Sequence, residues 1–342
     1  MTLMETGVIE SQGSIPAQPK PAQPPHARIG AYRFADAVIF SGDSTAFVAR
    51  LELEPPGPAD VVVEVIWSGV SAGTERLMWS GEMPPFPGLS YPLVPGYEAV
   101  GQIILASGAP ERVGEVVFVP GARCFRGASG LFGASASHIV VPGMRAYTLT
   151  LASPREGVLL ALAATAHHAI AGYPLPELIV GHGVLGRLAA RLVVALGGDA
   201  PTIWEINAAR READDYPVIA PSTDERRNYR AVCDLSGDSA IIDKVLPHCV
   251  PGAEIVLAGF YSARPSFAFP LAFMKEMRLR VAAEWTPADL DAVSSLVHSG
   301  KLSLEGLITH IRPAAEADEA YRQAFSDAAC LKMLIDWRPS NV

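Results

Sequence analysis

The stretch Gly181-His182-Gly183-Val184-Leu185-Gly186 decides the fold of this 342-residue chain. It follows an apolar run at residues 178–180 and opens a segment whose apolar residues recur at helical intervals, namely Leu185, Leu188, Ala189, Leu192, Val193 and Leu196. In such a strand–turn–helix unit the first glycine permits a tight turn, the second lets the backbone approach a pyrophosphate, and the third allows close helix packing. Because the helix N-terminus then faces the anion, the stretch predicts a dinucleotide site rather than an ordinary turn.

An acidic residue at the end of the next strand bears on which dinucleotide binds. Glu205 lies 19 residues beyond Gly186, where a carboxylate bonds the adenosine ribose hydroxyls and repels a 2′-phosphate. The sequence therefore predicts NAD. Arg210 and Arg211 favour NADP instead, if they hold a 2′-phosphate. The alternative is that the two arginines form a solvated helix start.

The distribution of proline and of predicted strands and helices along the chain indicates two domains and a tail. Residues 1–29 are proline-rich, which predicts a disordered tail. Residues 30–153 hold short strands (61–67, 99–105, 115–119 and 138–141) that indicate a small β-barrel-like catalytic domain. Residues 154–285 alternate strands (178–180, 202–206, 217–219, 231–234, 254–258 and 279–283) with helices, which predicts an α/β Rossmann domain with a doubly wound parallel sheet. Residues 286–342 are expected to return and pack on the catalytic domain.

Composition excludes several classes of function. The net charge of −9 disfavours nucleic acid and anionic lipid as main partners. No uncharged apolar stretch is long enough to span a membrane. The four cysteines include no CxxC pair and no signal peptide is recognisable, so we expect reduced thiols and a cytoplasmic location.

Two loops of the first domain resemble those of the medium-chain dehydrogenase/reductase superfamily. Residues 68–75 resemble the loop that carries a catalytic cysteine in zinc enzymes, and residues 91–98 resemble the element that carries a ligand histidine. Those two positions hold Ala72 and Tyr97, and no cysteine occurs at residues 160–168. Since a catalytic zinc needs about three protein ligands, Glu98 alone does not suffice and no metal is expected. The resemblance implies a GroES-like β-barrel beside the Rossmann domain.

Longer sequence segments point to one family within this superfamily. Residues 67–77, 81–88, 119–124, 181–187 and 257–261 are together similar to the bacteriochlorophyllide dehydrogenases of bacteriochlorophyll synthesis. This resemblance implies zinc-independent oxidation of the 3-(1-hydroxyethyl) group of chlorophyllide or bacteriochlorophyllide a to 3-acetyl. The implied partner is a tetrapyrrole, whose magnesium belongs to the substrate. A homodimer and a peripheral membrane contact stay open, as do two other functions: a zinc-free NADPH-dependent quinone or enoyl reductase, and a non-catalytic nucleotide-binding protein.

Without a metal, a side chain or water must take the hydroxyl proton. The candidates are Tyr97, Glu98, His167, Ser71 and Glu75, with His168 beside them. The alternatives are a Tyr97 that only fills the place of the metal, and a helix with one histidine buried and the other facing water.

The remaining candidates concern the cofactor and the substrate. By resemblance Thr165 approaches the nicotinamide, Gly259 and Phe260 line its ribose, and Lys332 meets the pyrophosphate. A flat apolar macrocycle would stack on aromatic and sulfur side chains of one loop-rich stretch, namely Trp79, Met83, Phe86 and Tyr91, unless these form the domain core.

Overall fold

The computed structural model describes residues 32–212 and 215–339. The predicted tail at residues 1–29 therefore lies outside the described residues. Within the described ranges the chain forms two sheets in the catalytic part and one in the cofactor part.

Between residues 32 and 150 the catalytic part contains nine strands and one short α-helix. They are β1 (Phe34–Phe40), β2 (Ala46–Glu52), β3 (Asp60–Val70), α1 (Thr74–Ser80), β4 (Leu93–Val94), β5 (Ala99–Ala106), β6 (Val116–Val119), β7 (Ser129–Gly130), β8 (His138–Pro142) and β9 (Tyr147–Thr148). One sheet has the order β2-β1-β4-β7, and the other is built around the valine-rich β3, which pairs with both β5 and β8. The predicted barrel strands 61–67, 99–105, 115–119 and 138–141 coincide with β3, β5, β6 and β8.

The cofactor part alternates strands and helices. Its elements are α2 (Leu160–Ile170), β10 (Leu178–Val180), α3 (Val184–Ala195), β11 (Thr202–Trp204), β12 (Val218–Ile219), β13 (Tyr229–Asp234), α4 (Ile241–Val245), β14 (Cys249–Leu257), α5 (Phe269–Met274), β15 (Arg278–Val281) and α6 (Pro287–His298). The sheet is parallel throughout, in the order β12-β11-β10-β13-β14-β15. This is the doubly wound order, with its switch point between β10 and β13, so the predicted fold class is confirmed.

The last segment returns to the catalytic part. It contains β16 (His310–Pro313), α7 (Ala317–Ser326) and β17 (Met333–Asp336). β17 runs antiparallel to β3, and β16 is parallel to β17, so the end of the chain completes the second barrel sheet. The boundaries proposed at 153 and 285 stay predictions, although the elements on either side follow that division.

The two parts share one hydrophobic core. Buried residues of α2 and α3 form a cluster with Val100 and Phe118 of the barrel, and Tyr97 packs against it. This shared core holds the end of β10 close to the loop that contains Tyr97. Within the described ranges the helices are too short or too polar to cross a bilayer.

Candidate active site

The glycine loop follows β10 and opens α3, as predicted. Gly181 has a φ of +100°, which favours glycine. A Cβ on Gly186 would lie 1.9 Å from the Gly181 carbonyl oxygen, whereas a Cβ on Gly183 would meet nothing within 4 Å. The first and third glycines are therefore required by the turn itself, and the second borders open space that suits a pyrophosphate.

Glu205 joins the end of β11 to this loop. Its Oε2 accepts a hydrogen bond from the backbone N–H of His182 at 2.9 Å, and its Oε1 accepts one from Asn207 at 2.7 Å. The carboxylate thus stands at the turn where an adenosine ribose would lie, although only 7% of the residue is exposed. Its contact with ribose stays a prediction.

Both arginines beyond Glu205 already bind backbone carbonyls. The Arg211 guanidinium donates to the carbonyl oxygens of Glu205 and Ile206 at 2.8 and 2.6 Å, inside its own loop. Arg210 instead donates from Nε to Ala328 at 2.7 Å, on the C-terminal return. The structure therefore gives both guanidinium groups a structural partner.

Tyr97 places its hydroxyl among other hydroxyl groups of the catalytic part. It donates to Ser71 Oγ at 2.5 Å, and Thr74 also bonds it. The ring stands edge-on to Phe132, with centroids 5.2 Å apart. Burial, followed by the nearby charge of Glu98, raises the pKa of Tyr97 well above its ordinary value. Tyr97 is therefore a neutral phenol that can pass a proton on, and a poor base.

Glu98 forms a buried ion pair with Lys332. Both side chains are 0% exposed, and Gly69 leaves them room, because a Cβ there would lie 2.2 Å from Glu98 Oε2. Burial raises the pKa of Glu98, and the Lys332 ammonium opposes that rise. The expected contact of Lys332 with a pyrophosphate is corrected here, since an enclosed ammonium paired with a carboxylate does not reach a ligand.

Glu75 is a second buried acid in the same place. It is 0% exposed, and burial together with the charge of Glu98 raises its pKa to about 8. The group is therefore a neutral carboxylic acid at pH 7. Its neighbour Tyr321 donates to Ser135 Oγ at 3.3 Å. The cluster behind Tyr97 therefore combines the Glu98–Lys332 ion pair with two uncharged groups, the Glu75 carboxylic acid and the Tyr321 phenol.

His167 and His168 share one carboxylate. Nδ1 of His167 lies 2.8 Å from Asp289 Oδ1, and Nδ1 of His168 lies 2.9 Å from Asp289 Oδ2. Asp289 is also the third residue of α6 and completes a capping box with Thr286. Hydrogen bonds from Thr286 and the two histidines outweigh burial and lower the pKa of Asp289. Both histidines thus anchor α2 to α6, and a part for His167 in proton transfer stays a prediction.

Gly259 and Phe260, the residues predicted to line the nicotinamide ribose, lie just after β14. A Cβ on Gly259 would lie 2.9 Å from the Gly237 nitrogen, so glycine is needed there. Phe260 is 39% exposed, and its ring centroid lies 6.5 Å from that of Phe86. The structure therefore brings a predicted cofactor residue and a predicted substrate residue together. Thr165 is half-buried on α2, with its hydroxyl bonded to the Ala161 carbonyl.

The other predicted substrate residues are dispersed. Met83 is 8% exposed and packs in the barrel core, so stacking on a macrocycle is not open to it. Tyr91 donates its hydroxyl to the Met78 carbonyl. Trp79 contacts Phe325 of α7 in a separate cleft. Of the four, Phe86 is the one that faces the cofactor part.

The side chains at the expected metal position do not suit zinc. Ala72 offers no donor, Tyr97 is bonded to Ser71, and Glu98 is paired with Lys332. Among residues 32–212 and 215–339, no group of three or more His, Cys, Asp or Glu side chains is arranged to hold a metal ion.

Three functional positions escaped the sequence analysis. Thr74 is adjacent to Glu75 in the quoted loop, and its hydroxyl was a visible signal. Asp289 and Tyr321 had none, because they meet their partners only through tertiary packing.

Comparisons with known proteins identify relatives of the whole chain. No family model matches the chain. It is 54% identical over 313 residues to 2-desacetyl-2-hydroxyethyl bacteriochlorophyllide A dehydrogenase of Cereibacter sphaeroides, covering 88% of this chain and 98% of that protein. The protein of the same name from Rhodobacter capsulatus is also 54% identical, over 89% and 98% of the two chains.

Solved structures give the same fold at lower identity. An alcohol dehydrogenase of Escherichia coli in complex with NADH has a TM-score of 0.76 at 19% identity, covering 89% of this chain and 100% of that one. A putative zinc-binding dehydrogenase of Sinorhizobium meliloti bound to NADP has a TM-score of 0.75 at 18% identity, over 89% and 99%. With relatives 54% identical over nearly their whole length, the chain belongs to the 2-desacetyl-2-hydroxyethyl bacteriochlorophyllide A dehydrogenase family.

Proposed function

We propose that this protein oxidises the 3-(1-hydroxyethyl) group of chlorophyllide or bacteriochlorophyllide a to 3-acetyl, with NAD⁺ as hydride acceptor. The observation that carries the proposal is the 54% identity to two dehydrogenases named for this class of substrate, over nearly their whole length. Membership of a dehydrogenase family removes the non-catalytic alternative. The buried, unpaired thiols of all four cysteines fit the cytoplasm, which keeps thiols reduced.

The preference for NAD⁺ over NADP⁺ rests on Glu205. A 2′-phosphate placed on the ribose would meet its carboxylate, and the two arginines whose charge would otherwise offset that repulsion donate to backbone carbonyls. The glycine loop, Gly259 and Phe260 would hold the cofactor, with Thr165 on α2 near the nicotinamide. When bound, the nicotinamide accepts the hydride from the carbinol carbon.

The protein handles the hydroxyl proton through neutral hydroxyl groups. The Tyr97 O–H already donates to Ser71, so its oxygen is free to accept the proton of the substrate hydroxyl. As that proton arrives, the proton of Tyr97 moves to Ser71 Oγ, with Thr74 alongside, and the Ser71 hydroxyl releases its own proton to solvent water, so that both hydroxyl groups end neutral. No step requires a phenolate, which agrees with the raised pKa of Tyr97. We also propose that the reaction needs no zinc, because the ketone product is conjugated with the macrocycle.

One assay tests substrate, cofactor and metal. Purified protein is incubated with 3-hydroxyethyl chlorophyllide and either NAD⁺ or NADP⁺, and the red absorption band is followed. We expect conversion to the acetyl product, faster with NAD⁺ at limiting concentration and undiminished by a zinc chelator. Faster reaction with NADP⁺ would overturn the interpretation of Glu205. Activity lost on chelation and restored by zinc would overturn metal independence. Oxidation of NADPH by quinones or enones without chlorophyllide turnover would favour the reductase alternative.

We further propose that a second copy of this chain covers an apolar face at the edge of the parallel sheet. β15 is the last strand of that sheet, and the large apolar side chains around it are exposed: Phe269 67%, Phe273 65%, Met274 73% and Val281 73%. An unpaired edge strand is a template for pairing. Pairing with its own copy around a two-fold axis would cover both edges at once.

Sedimentation velocity tests this assembly. We expect the wild-type protein to have twice the mass of the chain and Val281→Asp to be a monomer, because a buried charge on the new strand pair is costly. Met144→Asp is the control, since Met144 is 85% exposed on the barrel and its substitution should leave the dimer intact. A monomeric wild type would overturn the proposal, and binding of that monomer to anionic vesicles would assign the face to a lipid surface.

A further inference from the structure

Arg210 crosses from the cofactor part to the catalytic part. It ends a short turn after β11, and its guanidinium donates from Nε to the Ala328 carbonyl at 2.7 Å and from Nη2 to the Cys330 carbonyl at 3.4 Å. Both acceptors lie between α7 and β17, on the segment that completes the barrel sheet. A side chain of the cofactor part thus binds backbone of the catalytic part.

The backbone of Arg210 is held from the other side by the glycine loop. Nδ1 of His182 lies 2.5 Å from the Arg210 carbonyl oxygen, and Nε2 lies 3.0 Å from the Tyr216 hydroxyl. Because a carbonyl only accepts, Nδ1 carries the proton and Nε2 accepts from Tyr216. His182 is 0% exposed, and its backbone N–H donates to Glu205 Oε2. The turn that would grip the pyrophosphate is therefore tied to Arg210.

The far end of this connection lies beside the reaction site. Two residues after Cys330 comes Lys332, whose ammonium pairs with Glu98, the neighbour of Tyr97 in sequence. The intervening backbone is fixed, since Cys330 N–H donates to the Asp327 carbonyl at 3.1 Å and Leu331 N–H to Thr309 Oγ1 at 3.0 Å. A displacement at Ala328 and Cys330 is consequently transmitted to the Lys332–Glu98 pair.

We propose that Arg210 is a positioning residue that aligns the cofactor loop with the Lys332–Glu98 pair, and so sets the distance between the nicotinamide and the substrate carbinol. Hydride transfer needs reacting atoms about 3–3.5 Å apart, and small misplacements cost much of the rate. The nicotinamide and the substrate would bind to different parts of the chain. Contacts between those parts therefore determine how the two reacting groups are aligned. The proposal rests on the proposed oxidation and assigns Arg210 no direct contact with substrate.

Arg211 provides the matched control. It carries the same group in the same loop, but its guanidinium binds the carbonyls of Glu205 and Ile206, within the cofactor part. Loss of Arg211 removes a charge and two local hydrogen bonds without touching the C-terminal return.

The test compares Arg210→Met, Arg210→Lys and Arg211→Met with wild type. We expect Arg210→Met to lower kcat by about tenfold or more with an unchanged NADH dissociation constant, measured by fluorescence, and with a larger isotope effect for carbinol-deuterated substrate. Arg210→Lys should recover part of kcat, because an ammonium also donates to carbonyls, and it serves as the working variant if Arg210→Met does not fold. Arg211→Met should keep kcat.

Hydrogen exchange gives a readout that does not need turnover. In wild type, NADH should slow amide exchange at residues 327–332, and in Arg210→Met it should not. Weaker NADH binding with unchanged kcat would make Arg210 a cofactor ligand and overturn the proposal, as would a loss confined to NADP⁺ use or equal losses in Arg210→Met and Arg211→Met. A wild type inactive on 3-hydroxyethyl chlorophyllide refutes the proposed substrate, while the exchange result still decides the role of Arg210.

Discussion

Lys332→Met is expected to destabilise the protein by about 3–5 kcal/mol, because it leaves the Glu98 carboxylate buried without a counter-charge. Both side chains of this pair are 0% exposed. Urea denaturation at pH 7, followed by tryptophan fluorescence, measures the change in the free energy of unfolding. The double variant Lys332→Met/Glu98→Gln should recover much of the loss, since the uncompensated charge is gone.

Lys244→Met is the control for that experiment. Lys244 pairs with Asp238 at the surface, where the two side chains are 58% and 35% exposed, and its loss should cost less than about 1 kcal/mol. Equal losses in the free energy of unfolding for Lys332→Met and Lys244→Met would show that the buried pair stabilises the fold no more than the surface pair does. A double variant no more stable than Lys332→Met would show that lost packing, and not the stranded charge, causes the damage.

Tyr97→Phe is expected to lower kcat by about 10² or more, since a positioned group that transfers a proton contributes about that much. The ring and its edge-on contact with Phe132 remain, so the fold and the affinity for NADH should not change. The measurement is steady-state turnover of 3-hydroxyethyl chlorophyllide, with NADH binding measured in parallel.

Tyr91→Phe is the matched control for Tyr97→Phe. It also removes a tyrosine hydroxyl bond from the catalytic part, the one to the Met78 carbonyl, but that bond takes no part in the proposed relay. Unchanged turnover in Tyr97→Phe would transfer proton removal to water or to His167. His167→Gln separates those two, because a loss there as well would require the Asp289-bound imidazole to take part.

The cofactor loop could be predicted from sequence because its determinants are local. Gly181 and Gly186 act within six residues, and the periodic apolar face of the following segment fixes α3 at Val184–Ala195. Buried parallel strands are apolar runs, so central strands such as β10 and β14 were visible too. By contrast, β1 and β2 were missed, since β2 alternates apolar and charged residues weakly and is half exposed.

The site behind Tyr97 could not be predicted because its contacts join distant parts of the chain. Glu98 and Lys332 meet only after β17 has paired with β3. No local pattern indicated that the two histidines share a partner, since both bind Asp289 of α6, 121 and 122 residues away. Lys332 was assigned to a phosphate by resemblance, and its burial beneath Gly69 is a fact of packing that no local pattern contains.

The buried acid at Glu75 makes folding a proton-consuming reaction near neutral pH. Its pKa is raised from 4.5 to about 8 in the folded chain, so between those values the native state holds a proton that the unfolded chain has released. The sign follows directly: stability conferred by this group is complete below about pH 4.5 and is lost as the pH rises through 8, at a slope approaching 1.4 kcal/mol per pH unit. Glu75 therefore takes up a proton from the buffer when the chain folds and releases it when the chain unfolds. Mildly alkaline conditions lower the free energy of unfolding through this group.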